Sequence, residues 1–170
     1  VNSFPESQIA KIISDYGEEP RARRIAAAIA TERKNRAIET TIDLAALIVQ
    51  VKGKRNRAHH PATQTFQALR IAVNRELETL KTFLEYGYEL LQPGGRMVII
   101  SFHSLEDRLV KTAFRKWSEK CICPPRILHC ECGWSQKARR LTRKPIIASA
   151  EEVRANPRAR AAKLRAVVRL

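Results

Sequence analysis

Hydrophobic residues in the first third of the chain recur at intervals of three and four, the spacing of amphipathic helices, and no alternating strand pattern interrupts them. The first predicted helix follows Ser3 and Glu6, whose spacing is that of a capping box, and it ends near Gly17. A second helix is predicted a few residues later, and a third after Thr40. The pattern therefore predicts an all-helical segment at the start of the chain.

A basic, turn-rich segment, Gly53 to Pro61, separates these helices from a longer helical pattern. That pattern runs from Ala62 to Leu91, with a break expected near Thr79 to Thr82, and the turn Pro93 to Gly95 ends it. We therefore expect one long helix, or two helices in series, before the chain changes character.

The remaining residues alternate between strand and helix patterns. Met97 to Phe102 is a short apolar run typical of a buried strand, and the next helix is predicted to start at a Ser104 cap, with Asp107 three residues on. Residues 139–149 resemble a strand, but the proline within them confines it to a sheet edge or a strand end. Lys163 to Leu170 alternates as a half-exposed strand does. This order of elements predicts one half of a layered α/β domain.

The charge of the chain indicates a polyanionic partner. Its 170 residues include 32 Lys and Arg against 17 Asp and Glu, a net charge of +15, and the isoelectric point is about 10.4. Such a balance is typical of nucleic-acid-binding proteins. A solvated surface and an anionic-membrane patch are the alternatives. A membrane span is not expected, because no apolar run approaches the roughly 18 residues that one requires.

Three polar residues, Ser101, His103 and Ser104, follow the apolar run, at the point where open α/β sheets bind ligands. A hydrolytic Ser–His pair is one interpretation, but a nucleophile elbow needs glycines beside the serine, and this segment has none. Alternation along a strand places Ser101 and His103 on one side and turns Phe102 into the core. We therefore interpret Ser101 and His103 as polar groups of a pocket and Ser104 as a helix cap.

A second group of polar residues lies on the helical pattern between His60 and Asn74. Arg70 and Asn74 are four residues apart and so share one face of a helix. An asparagine in the middle of a helix competes with the backbone for hydrogen bonds, which favours a pocket role for Asn74. The alternative is a buried asparagine whose amide is satisfied by neighbouring backbone groups.

The four cysteines lie within one twelve-residue segment, as Cys121, Cys123, Cys130 and Cys132. Their C-x-C pairs, six residues apart, allow a tetrahedral zinc site, although spacers of two residues are commoner than one. His129 adds a fifth potential ligand. Reduced pairs packed in a loop and a labile disulfide are the alternatives. The clustering fits a reducing compartment with a local metal or thiol site.

Four segments, in this order along the chain, closely resemble one family: HPATQTFQALRIAVNRELETL, LLQPGGRMVIISFHSLEDRLVK, LTRKPI and NPRARAAKLRA. That family is the bacterial small-subunit rRNA cytosine-N4 methyltransferases of the RsmH or MraW type. The resemblance implies an α/β fold, namely the C-terminal half of a class I, Rossmann-like, S-adenosylmethionine-dependent methyltransferase with an inserted all-helical domain. Residues 1–70 would form the inserted RNA-recognition domain, and residues 71–170 the C-terminal part of the core.

The same resemblance implies S-adenosylmethionine-dependent methylation of N4 of a cytidine in the decoding centre of 16S rRNA. The expected partner is small-subunit rRNA or the 30S subunit. Uncharged acceptors suit this chemistry, because the exocyclic amine of cytosine is a poor nucleophile that gains charge as it reacts. The residues expected to be catalytic are Asn74, Ser101 and His103. Those expected to bind RNA are His60, Thr63, Arg70, Arg143, Lys144, Asn156, Arg158, Arg160, Lys163 and Arg165. For Arg158 and Arg160 the alternative is a solvated loop.

The glycine-rich cofactor turn of class I methyltransferases is missing from this sequence. Its six glycines have no GxGxxG-like spacing, and the chain begins at Val1 with Met97 as its one methionine. We therefore expect a C-terminal portion of the enzyme that lacks the main cofactor site and is inactive alone.

The competing hypothesis is a non-catalytic RNA-binding module that acts in ribosome assembly. A zinc-ribbon nucleic-acid binder is a third hypothesis. The expected location is a bacterial cytoplasm, with an organelle of bacterial descent as the alternative, and a homodimer is compatible with this interpretation.

Overall fold

The computed structural model describes residues 1–53, 60–124 and 129–170. The chain divides into two compact units, Val1–Glu76 and Leu77–Leu170, each with its own hydrophobic core. Most of the predicted basic turn between Gly53 and Pro61 lies outside the described residues. Within the described ranges, no helix is long and apolar enough to cross a membrane.

The described residues of the first unit form helices α1 (Glu6–Gly17), α2 (Ala22–Asn35), α3 (Thr41–Lys52) and α4 (Thr63–Asn74). The isoleucines that recur at helical spacing pack together, because each helix buries one apolar face. The most fully buried of them are Ile9, Ile13, Ile25, Ile29 and Ile48. The helices predicted for the start of the chain are therefore confirmed.

The start of α1 differs from the prediction. Its N-cap residue is Pro5, and no side chain caps it, so the predicted capping box of Ser3 and Glu6 is wrong. A residue that precedes a proline is disfavoured in helical conformation, so Phe4 is a poor first helical residue and the helix begins after Pro5. The start of α3 is as predicted, with the Thr40 side chain as its cap.

Helices α1 and α4 cross closely at Gly17. A Cβ at this position would lie 2.6 Å from the carbonyl oxygen of Gln64 and 3.2 Å from the Cβ of Ala68. Glycine therefore allows the two backbones to approach, and this contact helps to fix α4, which carries three of the predicted site residues.

The long helical pattern is broken at Arg75 rather than at Thr79 to Thr82, so the predicted position of the break is wrong. Arg75 adopts a left-handed conformation, with φ of 53°, and its N–H group closes the last turn of α4. Helix α5 (Glu76–Tyr86) follows directly. Asn74 is therefore the last residue of a helix and does not lie in mid-helix.

The second unit contains a small antiparallel sheet. Its described strands are β1 (Arg96–Ser101), β2 (Ala138–Arg140), β3 (Ile146–Ile147) and β4 (Lys163–Arg169). Strand β4 pairs with each of the other three, with β1 along one edge and with β2 and β3 along the other. Together with helices α6 (Ser104–Trp117) and α7 (Ala150–Ala155), these strands give the mixed α/β architecture that the sequence predicts.

Helix α6 covers one side of this sheet and contacts β1, β2 and β4. Its buried apolar residues include Val110, Phe114 and Trp117, and the rings of Phe114 and Trp117 lie 5.3 Å apart. The first residue of the helix is Ser104, but its cap is His103, so the predicted Ser104 cap is wrong by one position.

The two faces of β1 differ in their surroundings. Met97 and Ser101 point toward the core, whereas Val98, Ile100 and Phe102 are 55%, 53% and 57% exposed. The prediction that Phe102 turns into the core is therefore wrong. The segment is hydrophobic on both faces, so its alternation did not show which face α6 would cover.

Candidate RNA-binding and metal-binding residues

The end of α4 brings two predicted site residues to one carboxylate. Arg70 places Nε 2.9 Å from Oε1 of Glu76 and donates from Nη2 to Oε2 at 3.1 Å. Asn74 donates from Nδ2 to Glu76 Oε1, also at 3.1 Å. Asn74 is exposed, so the alternative of a buried asparagine satisfied by the backbone is wrong. Because Nδ2 is held by Glu76, the side chain offers its amide oxygen to a ligand as a hydrogen-bond acceptor.

Sequence reasoning missed Glu76. Neighbours on a helix are three or four residues apart, whereas Glu76 lies two residues beyond Asn74 and six beyond Arg70. It reaches both side chains because the chain turns at Arg75.

At the other end of α4, His60 and Thr63 are both exposed and form the entry to the helix. The Nδ1 atom of His60 accepts from the Ala62 N–H group at 3.2 Å, and the Thr63 hydroxyl donates to the His60 carbonyl oxygen at 2.8 Å. These contacts order the turn that starts the helix. Contact of either residue with RNA stays a prediction.

In the second unit, His103 forms a capping box with Glu106. Its Nδ1 atom accepts from the Glu106 N–H group at 3.3 Å, and Glu106 Oε2 accepts from the N–H groups of Phe102 at 2.9 Å and His103 at 3.3 Å. Since Nδ1 is an acceptor, a neutral ring carries its proton on Nε2. That nitrogen lies 3.3 Å from Glu106 Oε1 and has no hydrogen bond among the described residues. That nitrogen is also buried, so His103 presents no open donor in this structure, and its contact with a substrate stays a prediction.

Ser101 is not open to a ligand in this structure. The residue is 3% exposed, and its hydroxyl donates to the carbonyl oxygen of Lys163 at 3.3 Å. It therefore connects the end of β1 to β4. The expectation of a pocket with Ser101 and His103 on a shared open side of the strand is not supported by these positions.

Arg165 forms a buried ion pair with Asp107. Its Nε and Nη2 atoms donate to the two carboxylate oxygens of Asp107 at 2.7 and 3.1 Å, and Lys163 Nζ lies 3.8 Å from the same carboxylate. The hydrogen bonds from Arg165 lower the pKa of Asp107 and outweigh its burial, which acts in the opposite direction. The guanidinium is thus occupied inside the unit, and we leave Arg165 out of the RNA surface proposed below.

The other basic residues predicted near the end of the chain are exposed. Arg143 and Lys144 precede β3, and Arg158 and Arg160 lie in a 3₁₀ turn (Pro157–Ala161). Asn156 caps that turn by accepting from the Arg158 N–H group at 3.2 Å. No carboxylate pairs with these four cations within the part of the chain that the structure describes, so their charges face solvent and are available to an anion.

The four cysteine sulfurs lie together. Cys121 Sγ is 3.3 Å from that of Cys130 and 3.7 Å from that of Cys132, and Cys130 Sγ is 3.9 Å from that of Cys123 and 3.5 Å from that of Cys132. The sequence prediction that these residues form one local group is confirmed. His129 is not among the ligand atoms that meet there.

Two thiols of this group have strongly shifted acidity. Backbone N–H groups of Ile122 and Trp134 point at the Cys132 sulfur and lower the pKa of this thiol to about 6. For Cys121 the N–H group of Cys123 acts in the same direction, but hydrogen bonds shared with the other three thiols dominate and raise its pKa to about 12. Backbone donors therefore favour the thiolate form of Cys132 at neutral pH.

The residues of this chain do not fit the glycine-rich turn that holds S-adenosylmethionine in class I folds. The strand-to-helix turn between β1 and α6 contains Phe102 and His103 and no glycine. Gly94 and Gly95 precede β1 and form a tight turn, in which the Gly95 N–H group donates to the Gln92 carbonyl oxygen at 2.8 Å. The described residues thus provide no such cofactor turn.

Comparison with known proteins gives the class of this chain. The model of the MraW methylase family matches residues 1–170, and the chain belongs to that family. The resemblance inferred from the four sequence segments is confirmed.

The individual relatives are named Ribosomal RNA small subunit methyltransferase H. The chain is 52% identical over 170 residues to the Thermomicrobium roseum protein, covering 100% of this chain and 52% of that protein. It is 50% identical over 172 residues to the Symbiobacterium thermophilum protein and 51% identical over 172 residues to that of Geobacter sulfurreducens. In these two matches it covers 54% and 55% of the relative, with all of this chain aligned. The chain thus spans about half the length of the curated relatives it matches.

Proposed function

We propose that this chain is the RNA-binding and methyl-acceptor part of an enzyme that methylates N4 of a cytidine in the decoding centre of small-subunit rRNA. The methyl donor of the whole enzyme would be S-adenosylmethionine, and the substrate small-subunit rRNA or the 30S subunit in the bacterial cytoplasm. The main support for the proposal is that the family model matches residues 1–170. Relatives that are about 50% identical over the whole chain support it further.

The charge distribution supports RNA as the partner. The chain has a net charge of +15, and Arg143, Lys144, Arg158 and Arg160 are exposed. Guanidinium groups donate in pairs to phosphate oxygens, so arginines in a turn suit contact with an RNA backbone. We propose that these four residues bind phosphates and that the Asn156 cap orders the turn that presents Arg158 and Arg160.

The chemistry of the acceptor supports a role for Asn74. The amine of cytosine shares its lone pair with the ring, and acceptors that hold its hydrogens favour the more nucleophilic, pyramidal form. The contact of Asn74 Nδ2 with Glu76 fixes the amide orientation and presents Oδ1 as such an acceptor. The Nε2 atom of His103 is buried beside Glu106, so we assign this residue no direct contact with the base in this arrangement. We assign no direct contact to Ser101, because it is buried.

The exposed apolar residues of the sheet support its completion by other parts of the whole enzyme. Val98 and Ile100 on β1 and Phe102, the residue after it, are more than half exposed, as are Ile146 and Ile147 on β3. The strand pairs of this sheet are antiparallel, and such sheets often leave a polar face to solvent. Apolar residues grouped on an exposed face are instead typical of a surface that another part of a protein covers. We propose that this covering part and the cofactor turn belong to the half of the family's length that this chain does not span, and that the helical unit is an insertion in the completed class I fold.

A second candidate function is a non-catalytic RNA-binding module that acts in ribosome assembly. The net charge of +15 is compatible with it as well. Both candidates require RNA binding, and only the first requires methyl transfer once the remainder of the enzyme is supplied. A homodimer stays a prediction under either candidate.

RNA binding is tested by replacing Arg158 and Arg160 with alanine together. The expected result is a loss of affinity for transcribed 16S rRNA of about tenfold or more, since each lost phosphate contact weakens binding and lowers the salt slope by about 0.7–0.9. The measurement is the dissociation constant as a function of salt concentration, from filter binding.

The matched control replaces Arg36 and Arg115 with alanine, because each of these arginines already forms an ion pair with a glutamate. Arg36 lies 3.2 Å from Glu32 and Arg115 lies 3.6 Å from Glu119, so this variant loses the same charge from residues already paired. Equal losses of affinity and slope in both variants would indicate diffuse attraction only and would contradict the assignment of Arg158 and Arg160.

A further inference from the structure

The proposed function has no role for the cysteine cluster, which has the geometry of a mononuclear metal site. Its four sulfurs are contributed by two C-x-C pairs, and the ligand atoms all lie within 4.8 Å of one another. Four of the sulfur–sulfur distances fall between 3.3 and 3.9 Å.

These distances match the edges of a zinc tetrathiolate. Zinc–sulfur bonds are about 2.3 Å long, so the sulfurs of a regular tetrahedron are about 3.8 Å apart. The four separations given above each lie within about 0.5 Å of that value. We propose that Cys121, Cys123, Cys130 and Cys132 bind one structural zinc ion.

The other states of four thiols fit the geometry less well. A disulfide brings two sulfurs to about 2.05 Å and draws each pair away from the other, whereas here Cys130 lies within 4 Å of all three partners. An iron–sulfur cluster places inorganic sulfide and several irons between the thiolates. The space between these sulfurs accommodates a single ion.

The backbone around the cluster supports the same assignment. The Cys123 N–H group donates to Cys121 Sγ at 3.3 Å, and an N–H group two residues beyond Cys132, that of Trp134, points at its sulfur. In both contacts the donor is the N–H group of residue i+2 and the acceptor is the sulfur of residue i. Such bonds stabilise thiolate ligands and hold them in position, as outer contacts do at metal sites.

The fold gives the ion a structural task. The cysteines lie between the end of α6 at Trp117 and the start of β2 at Ala138. Two hydrogen bonds hold the ends of this segment together. The Lys137 N–H group donates to the Trp117 carbonyl oxygen at 2.8 Å, and Trp134 Nε1 donates to the Glu119 carbonyl oxygen at 2.9 Å. The described residues between Trp117 and Ala138 form no helix or strand, and none of them belongs to the buried core. A metal ion would there provide the cross-link that apolar packing does not.

The test is metal analysis of the full chain, purified without added metal or chelator and with reductant present. The expected content is one zinc per chain. After exchange, Co²⁺ is expected to saturate at one ion per chain, with the thiolate-to-cobalt charge-transfer band and visible d–d bands of a tetrahedral site. All four thiols, which are the only cysteines in the sequence, are expected to be protected from a thiol reagent until the metal is removed.

Two variants locate the site. Cys123→Ser is expected to lose the zinc on dialysis that leaves the native chain loaded, whereas His129→Ala, at an exposed neighbour outside the ligand group, is expected to retain it. The cobalt spectrum of the native chain tests the site even where a cysteine variant does not fold. Less than a tenth of an ion per folded chain, iron in place of zinc, reagent-accessible thiols or a mass showing disulfides would each overturn the proposal.

Discussion

Replacing Lys52 with methionine is expected to lower the free energy of unfolding of the first unit by about 3–5 kcal/mol, because it leaves a buried carboxylate without a counter-charge. The Lys52 ammonium pairs with Glu19, and their side chains are 3% and 1% exposed. Glu19 also accepts from the Arg21 N–H group at 3.0 Å, and Lys52 has Gln64 Oε1 at 3.5 Å as a further contact. The one neutral contact that stays with the carboxylate, from the Arg21 N–H group, does not offset the desolvation of a carboxylate that has lost its cation.

The measurement is hydrogen–deuterium exchange of the α1 to α4 amides under native conditions, which reports the opening of this unit. The control is Lys11→Met, because Lys11 forms an exposed pair with Asp15 at 3.0 Å, with side chains 78% and 48% exposed. Such surface pairs contribute about 0–1 kcal/mol. The double replacement of Glu19 by glutamine and Lys52 by methionine is expected to recover part of the loss. Equal small effects of Lys52→Met and Lys11→Met would contradict the assignment.

Replacing Asp107 with asparagine is expected to lower the free energy of unfolding of the second unit by about 3 kcal/mol at neutral pH, because it removes the counter-charge of buried Arg165. The side chains of Arg165 and Asp107 are 8% and 12% exposed. Removing the carboxylate leaves the guanidinium desolvated, with a neutral amide in place of two charge-assisted hydrogen bonds.

The pH dependence of this effect has a definite sign. The folded protein lowers the pKa of Asp107, chiefly through the Arg165 hydrogen bonds, so ionised Asp107 stabilises the fold above its unfolded-state pKa of about 3.9. That contribution is lost as the pH falls through the lower folded-state pKa. The difference in stability between the native chain and the Asp107→Asn variant is therefore expected to be complete at neutral pH and to shrink below about pH 4.

Denaturant unfolding followed by tryptophan fluorescence measures this difference, because both tryptophans, Trp117 and Trp134, belong to the second unit. Glu119→Gln is the control, since the pair of Glu119 with Arg115 is exposed and its loss is expected to have little effect. A stability difference that stays constant from neutral to acidic pH would contradict the role given to Asp107.

The helices of the first unit were predictable because their apolar faces repeat over several turns. The first and last residues of the helices were less predictable, since adjacent polar residues compete to cap a helix, as Ser104 and His103 do before α6. The turn at Arg75 had no glycine or proline to mark it. The face of β1 that α6 covers was equally hidden, because Val98 and Ile100 are as apolar as their neighbours.

The candidate site residues were likewise predictable where the signal is local in the sequence and not where it depends on distant partners. The cysteine cluster was predictable because its members are close in sequence, and the exposed arginines because Arg158 and Arg160 lie in a basic, proline-containing turn. The partners that decide other roles are distant in sequence. Asp107 and Arg165 are 58 residues apart, and Glu19 and Lys52 are 33 apart. A local pattern does not report such pairs, so Arg165 was placed on the RNA surface although it lies in the core.

The proposed function is tested by measuring methyl transfer from labelled S-adenosylmethionine to 30S subunits that lack the modification. The measurement compares this chain alone with a chimera in which the chain replaces the matching half of the Thermomicrobium roseum relative, to which it is 52% identical. We expect transfer to N4 of a decoding-centre cytidine by the chimera and none by the chain alone. A folded chimera that binds the cofactor and RNA but transfers no methyl group, or transfer by this chain alone, would contradict the proposal.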